Sequence, residues 1–300
     1  MHRDPLKAAA RLVVKFGTGV LTDSRKQPDP AQLEQLVAQI AAQRHAGREI
    51  VIVTSGAVGA GMGALGLEKR PTELAALSAC AAVGQSQLMA TYAELFTRHG
   101  LRVAQVLLTH DDLEHHERHL NARNTLITLL NRGVVPIINE NDAVSFDELK
   151  FGDNDKLSAL VASLLPADLL VILTTVDGVL ENFGKANPKT ISVIEHVDTT
   201  IEKLAGGTKS ETAVGGMASK IQAAKIVVRS GIPLVIASGK KKQVLAKILG
   251  GELAQAKLGA AHATLLVGPG RCWYARRARV STSPLSCALP GDPRPTRLEP

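Results

Sequence analysis

The 300-residue sequence predicts an α/β protein built on a mostly parallel open sheet covered by helices. Three observations point there. Short β-branched runs alternate along the chain with stretches of helical periodicity, the pattern of successive strand–helix units. Most of those runs are apolar at nearly every position, as strands are when both faces of a sheet are buried. The 26 glycines gather in short clusters between the apolar runs, as they do in α/β folds.

The elements follow in order. Leu12–Phe16 is the first strand. Pro30 opens a helix that runs to His45, with Leu33, Leu36, Val37 and Ile40 on one face and Gly47 as its stop. Glu49–Thr54 is the second strand, and the glycine-rich segment after it reads as a turn. Glu73–Arg98 is a long helix, Val103–Leu108 a strand, Arg118–Asn131 a helix and Val134–Ile138 a strand. Lys156–Leu164 and Met217–Arg229 are helices, while Leu169–Leu173 and Leu234–Ala237 are strands. No internal repeat is present.

The end of the chain differs in kind. Residues 271–300 hold six arginines against Asp292 and Glu299, and the last 17 positions contain five of the 14 prolines. Periodicity vanishes there. Residues 1–268 are therefore read as one folded domain, and residues 269–300 as an atypical basic, Pro/Arg-rich tail expected to be disordered.

Composition narrows the function. Of the net charge of +7, that tail alone carries +4, so the body is nearly balanced and nucleic acid is not an expected partner. One Trp, two Tyr and five Phe are too few for an aromatic base-stacking platform. Cys80, Cys272 and Cys287 form an odd set without metal-ligand spacing, which excludes a disulfide framework. No apolar run reaches the roughly 18 residues of a membrane span. The N-terminus lacks the apolar core and small-residue cleavage site of a secretory signal, so a cytoplasmic protein without a membrane partner is expected.

Four segments carry candidate chemistry. In Val13-Val14-Lys15-Phe16-Gly17-Thr18-Gly19 a strand ends on a lysine and passes into a glycine turn, which lets backbone N–H groups converge on an anion beside a positive charge. A tight structural turn explains it equally. The second, Val53-Thr54-Ser55-Gly56-Ala57-Val58-Gly59-Ala60-Gly61, places small residues at the carboxyl edge of the sheet, where open α/β sheets bind ligands, with a plain glycine turn as the alternative. Ser55 lacks the G-x-S-x-G setting of a nucleophile and reads as a binding residue.

The third combines Asn139-Glu140-Asn141-Asp142 with Gly152-Asp153-Asn154-Asp155-Lys156. Asp153 or Asn154 capping a helix accounts for one residue, not for the density. Such groups suit an amino-acid ammonium or the orientation of catalytic lysines, and the twelve-residue calcium loop is absent. The fourth, Gly215-Gly216-Met217-Ala218-Ser219-Lys220, runs two glycines into a helix with a lysine one turn inside: free N–H groups, a positive dipole end and a cation. His110, His115, His116 and His119 among acidic residues fall one residue short of H-E-x-x-H and read as a solvated helix start, so no metal site is assigned.

Taken in series, VVKFGTGVL, IVIVTSGAVGAG, LNARNTL, VPIINENDAV, GDNDKLSALVA and GGMASK resemble the ordered signatures of the glutamate 5-kinases (γ-glutamyl kinases) of the amino acid kinase family, over roughly residues 11–250. The resemblance implies an αβα sandwich around the sheet. It also implies ATP-dependent phosphorylation of the side-chain carboxylate of L-glutamate to L-glutamyl 5-phosphate, opening proline synthesis. ATP is then a substrate, Mg²⁺ accompanies its phosphates, proline is a feedback inhibitor, and a homo-oligomer (dimer or tetramer) is expected. By similarity, Lys15 and Lys220 hold the phosphates from opposite sides and Asp155 orients them. Ser55, Asp142 and Asn154 match glutamate-binding positions, with Asn139 and Asp153 nearby. Thr174, Thr175 and Val214, Gly215, Gly216, Met217, Ala218, Ser219 and Lys220 fall where the family binds ATP.

Three departures stand out. Thr175 occupies a position where many relatives carry Asp, and Val214 one where Thr is usual. The RNA-binding-like PUA domain of many bacterial members has no counterpart in residues 269–300. Two alternatives remain at this point: another amino acid kinase acting on acetylglutamate, aspartate or a phosphorylated acceptor, and a nucleotide- or proline-binding regulator that has lost catalysis.

Overall fold

The computed structural model describes residues 4–23, 28–145, 154–181, 189–191, 193–194, 197–206, 216–251 and 265–267. The strands are β1 (Arg11–Phe16), β2 (Glu49–Val53), β3 (Val103–Leu108), β4 (Val135–Glu140), β5 (Leu169–Thr174), β6 (Leu180–Glu181), β7 (Lys189–Thr190), β8 (Val193–Ile194), β9 (Leu234–Ser238) and β10 (Leu265–Val267). The helices are α1 (Asp4–Lys7), α2 (Thr18–Leu21), α3 (Pro30–His45), α4 (Ala57–Ala64), α5 (Leu74–Thr97), α6 (His110–Glu114), α7 (His116–Asn131), α8 (Asn154–Leu164), α9 (Thr199–Gly206), α10 (Met217–Arg229) and α11 (Val244–Gly250).

The main sheet has the order β3-β4-β2-β1-β5-β9-β10-β8. Its first six strands are mutually parallel, β10 runs antiparallel to β9, and β8 is parallel to β10. A separate pair, β6–β7, is antiparallel. Strand direction and order place the reversal of connectivity at β1 and β5, where an open sheet leaves a crevice at its carboxyl edge.

Strand alternation sorts the core into two layers. Leu12, Val14, Phe16, Ile50, Ile52, Ile137 and Val171 pack with α3, α5 and α11 on one face. Val13, Val51, Val53, Ile138, Ile172 and Ile236 pack with α7, α8 and α10 on the other. The result is an αβα sandwich. Burying each such side chain contributes roughly 1.5–3 kcal/mol, which makes the central strands its most strongly held part. The same alternation decides where Lys15 goes: two residues after Val13, it belongs to the α8–α10 face.

Helix α3 forms as its sequence dictates. The Asp29 carboxylate accepts from the Gln32 amide at 3.0 Å, Pro30 occupies the first turn, and Leu33, Leu36, Val37 and Ile40 face the core.

Two expectations need correction. The segment after β2 is helical: Gly56 adopts φ = 103° as the cap and Ala57–Ala64 form α4. Three glycines within eight residues oppose a helix by propensity. Packing overrides this, because a Cβ on Gly61 would overlap the Cys80 backbone and one on Gly84 would overlap the Ala57 carbonyl. Glycine is thus what lets α4 lie against α5. The other correction concerns β4, which continues two residues beyond Ile138 through Asn139 and Glu140. Both side chains are therefore aimed by strand geometry, to opposite faces. Residues 269–300 lie outside the described residues. No helix among the described residues is long and apolar enough to cross a membrane.

Candidate active site

At the carboxyl edge of the sheet, Lys15 of β1, Asp155 of α8 and Lys220 of α10 meet. Lys15 Nζ lies 2.7 Å from Asp155 Oδ1, and Lys220 Nζ lies 3.0 Å from Oδ2. One carboxylate thus holds two ammonium groups that are remote in sequence. Ser219 Oγ donates to Oδ2 at 2.6 Å. Asp155 is 1% exposed, Lys220 4% and Lys15 6%.

Local sequence explains the convergence. Lys15 rides on a fully buried strand, Asp155 sits in the first turn of α8, and Lys220 sits one turn into α10 behind the cap residue Gly216. Burial pushes the Asp155 carboxyl up, but the Lys15 and Lys220 charges and the hydrogen bonds from Lys15 and Ser219 outweigh it. The carboxyl is held well below the usual carboxylate range.

Beside this charged group lies a neutral one. Asn154 Nδ2 is 2.7 Å from the Thr54 carbonyl, 2.9 Å from Asn139 Oδ1 and 3.1 Å from Ser55 Oγ. Asn139 Nδ2 donates in turn to Gln85 Oε1 at 2.8 Å. Ser55, Asn139, Asn154 and Gln85 are all buried. Thr54, whose carbonyl anchors Asn154, is itself fixed by its hydroxyl on Tyr92 Oη at 2.8 Å and by its amide on the Ile138 carbonyl at 2.8 Å.

Asp142 lies in the turn after β4. Burial raises its carboxyl to about 6, with Arg70 pulling the other way. Glu140, on the α8 face, is pushed up to about 8, first by burial and then by the Asp142 charge. His110 Nδ1 stands 3.8 Å from Glu140 Oε2, and burial followed by the Lys156 charge lowers the imidazole to about 4. At neutral pH the imidazole is accordingly uncharged. Thr109 and Asp112 cap the helix that starts at His110 reciprocally.

Thr174 ends β5, and its carbonyl accepts from the Gly239 amide at 2.9 Å. Thr175 is exposed and packs against Gly19, where a Cβ would come within 2.9 Å of its methyl. A Cβ on Gly17 would come within 3.1 Å of the Leu173 carbonyl, so glycine lets the turn lie close against the end of β5. Gly216, Met217, Ala218 and Ser219 form the start of α10. Asp153, Val214 and Gly215 lie outside the described residues. Sequence reasoning did not find Gln85, buried among the small residues of α5, or the Glu140–His110 pair. The only cue to Glu140 was its place inside NENDAV; Gln85 had none.

The profile of the amino acid kinase family matches residues 10–238. A glutamate 5-kinase of Azoarcus is 50% identical over 252 residues, which cover 83% of this chain and 68% of that protein. A glutamate 5-kinase of Ralstonia nicotianae is 48% identical over 260 residues, 86% of this chain and 70% of that protein. Among solved structures, a carbamate kinase from Giardia lamblia bound to AMP-PNP superposes with a TM-score of 0.59 at 16% identity. It covers 87% of this chain and 99% of its own. A UMP kinase from Ureaplasma parvum does so with a TM-score of 0.58 at 13% identity, covering 87% and 99%. These two share the fold.

Proposed function

Because the chain belongs to the amino acid kinase family and groups within it with the glutamate 5-kinases, we infer that it phosphorylates L-glutamate with ATP. The γ-phosphoryl group passes to the side-chain carboxylate, giving L-glutamyl 5-phosphate, the first step of proline synthesis. The observation that carries the site assignment is the meeting of Lys15 and Lys220 on Asp155 at the carboxyl edge of the sheet.

In the reaction a glutamate carboxylate oxygen forms a bond to the γ-phosphorus. The bond from that phosphorus to the bridging oxygen breaks, and ADP leaves with the electron pair. A glutamate side chain with a pKa of about 4.3 is already ionised at neutral pH, so the step needs no general base. Catalysis then rests on positioning and on neutralising charge spread over the transferring group. Lys15 approaches from the strand and Lys220 from the helix, with Asp155 holding both. The amides at the start of α10 add positive potential toward the phosphates.

Thr174, Thr175, Val214, Gly215, Gly216, Met217, Ala218 and Ser219 complete the nucleotide side. Ser55, Asn139, Asp153 and Asn154 form the glutamate side, and Asp142 faces the substrate ammonium. Acetylglutamate has no use for that carboxylate, which favours the free amino acid.

Mg²⁺ comes with the nucleotide. Asp155 is committed to two ammonium groups. The ion is read as entering with ATP, on phosphate oxygens and water. Kinship extends the reading to a cytoplasmic homo-oligomer inhibited by proline.

The test is ATP-dependent hydroxamate formation with hydroxylamine. Glutamate supports it and N-acetylglutamate does not. Turnover with acetylglutamate and none with glutamate overturns the substrate assignment. ATP binding without glutamate-stimulated ADP release identifies a lapsed regulator instead.

A further inference from the structure

We propose that Gln85 is a positioning residue for glutamate: its side-chain amide sets the direction in which the Asn139 amide faces and so holds the Asn154 amide in place. The proposal rests on the placement of glutamate at Ser55, Asn139 and Asn154.

The argument is one of hydrogen-bond polarity. A primary amide donates from nitrogen and accepts at oxygen, so a chain of amides joined head to tail has a direction. Gln85 Nε2 donates to Gln105 Oε1 at 3.1 Å, and Gln85 Oε1 accepts from Asn139 Nδ2 at 2.8 Å. With its nitrogen committed there, Asn139 turns Oδ1 to Asn154, whose Nδ2 it meets at 2.9 Å. Asn154 Nδ2 also faces the Thr54 carbonyl and Ser55 Oγ. Three acceptors converge on one NH₂ group. The nitrogen end of Asn154 is thereby pinned to the strand edge, and its oxygen end is turned toward the site, as an acceptor for an ammonium group.

Without Gln85 this polarity loses its anchor. Asn139 Nδ2, 2% exposed as a residue, is left without its acceptor. A buried unpaired donor is costly, and rotating the Asn139 amide to relieve it sets nitrogen against nitrogen at Asn154. Asn154, whose nitrogen stays on the Thr54 carbonyl, then loses the Asn139 acceptor and is pushed out of place, and the oxygen it offers the substrate moves with it. Gln85 sits on α5 and the lysine cluster on β1, α8 and α10, so the phosphoryl-transfer groups are untouched.

Steady-state kinetics on the full chain with Gln85→Met, Gln85→Glu and Asn154→Ala test this, varying glutamate and ATP separately. Gln85→Met keeps the volume and loses both hydrogen bonds. It is expected to raise the KM for glutamate about tenfold or more, with kcat and the KM for ATP within about threefold of the parent. Gln85→Glu retains an oxygen acceptor for Asn139, and the exposed Gln105 can turn its NH₂ toward it, so most of the glutamate affinity returns. Gln105→Met is a milder second probe should Gln85→Met fold poorly, with a smaller rise in the same constant. A KM for glutamate unchanged in Gln85→Met but raised in Asn154→Ala overturns the role of Gln85 while leaving the glutamate site in place. Equal losses of kcat and of ATP affinity in both Gln85 variants also overturn it, as these are the marks of a merely structural residue. An unchanged KM in Asn154→Ala overturns the glutamate placement itself, and the proposal with it.

Discussion

Asp155→Asn isolates the charge of the carboxylate from its shape. In the parent, one buried negative charge faces two ammonium groups at 2.7 and 3.0 Å. Asparagine leaves those cations buried, close together and facing a neutral amide. At an effective dielectric of about 20, each lost attraction is worth about 5–6 kcal/mol and the remaining repulsion opposes folding further. The full sum is never realised, because a lysine sheds its proton first. Neutralising one lysine of reference pKa about 10.4 at pH 7 costs about 4.6 kcal/mol, and once one is neutral the other no longer faces a like charge. The expected loss is therefore about 3–5 kcal/mol, the range found when one partner of a buried pair is removed.

Urea unfolding at pH 7 measures it, as a fall in midpoint at constant slope. Two further readouts separate charge from packing. The gap between variant and parent narrows as pH rises from 7 toward 10, since losing a lysine proton becomes cheaper by about 1.4 kcal/mol per pH unit. ATP also raises the melting temperature of the variant by more than that of the parent, because the phosphates supply the missing negative charge. A destabilisation under about 1 kcal/mol, independent of pH, refutes the idea that Asp155 holds two charged lysines.

Other expectations follow from the same geometry. With the Asp142 carboxyl raised to about 6 and its ionised form proposed to meet the substrate ammonium, kcat/KM for glutamate is expected to rise with pH through about 6. Bound ammonium favours the carboxylate, so the corresponding limb in kcat lies at lower pH, and Asp142→Asn abolishes the limb; a pH–rate profile checks both. Lys220→Ala is expected to lower kcat by about 10²–10³-fold, and near-normal turnover would refute its role. Gly84→Ala, which drives a methyl into the Ala57 carbonyl, costs about 1–3 kcal/mol by urea titration, through the α4–α5 contact.

What the sequence made legible followed from period and polarity. β1 and α3 were readable because apolar spacing, Pro30 and Gly47 agree with one another and with the core they enter. The grouping of Lys15, Asp155 and Lys220 was visible only through the serial motifs, since no local pattern says that a strand end and two helix starts will meet. α4 was misread because its glycines argue locally for a turn. The purpose of Gly61 lies in α5, at the Cys80 backbone more than a dozen residues away. Gln85 was invisible for a related reason: one polar residue in a helix of small side chains gains meaning only when Asn139 is placed opposite it.

The two halves of the site also divide the physical work. The lysine cluster joins two lysines to one carboxylate, which gives it the net positive charge that the proposed phosphoryl transfer calls for. Asp155 offsets the repulsion between the two ammonium groups before substrate arrives, and its own depressed pKa keeps it ionised throughout the neutral range. The amide cluster, by contrast, is neutral and directional, as recognition of an ammonium beside that cationic centre requires. A third positive side chain there would repel the ammonium of the proposed substrate. Amides would orient that substrate without altering the field of the lysine cluster, which is a physical reason for Ser55, Gln85, Asn139 and Asn154 to be neutral.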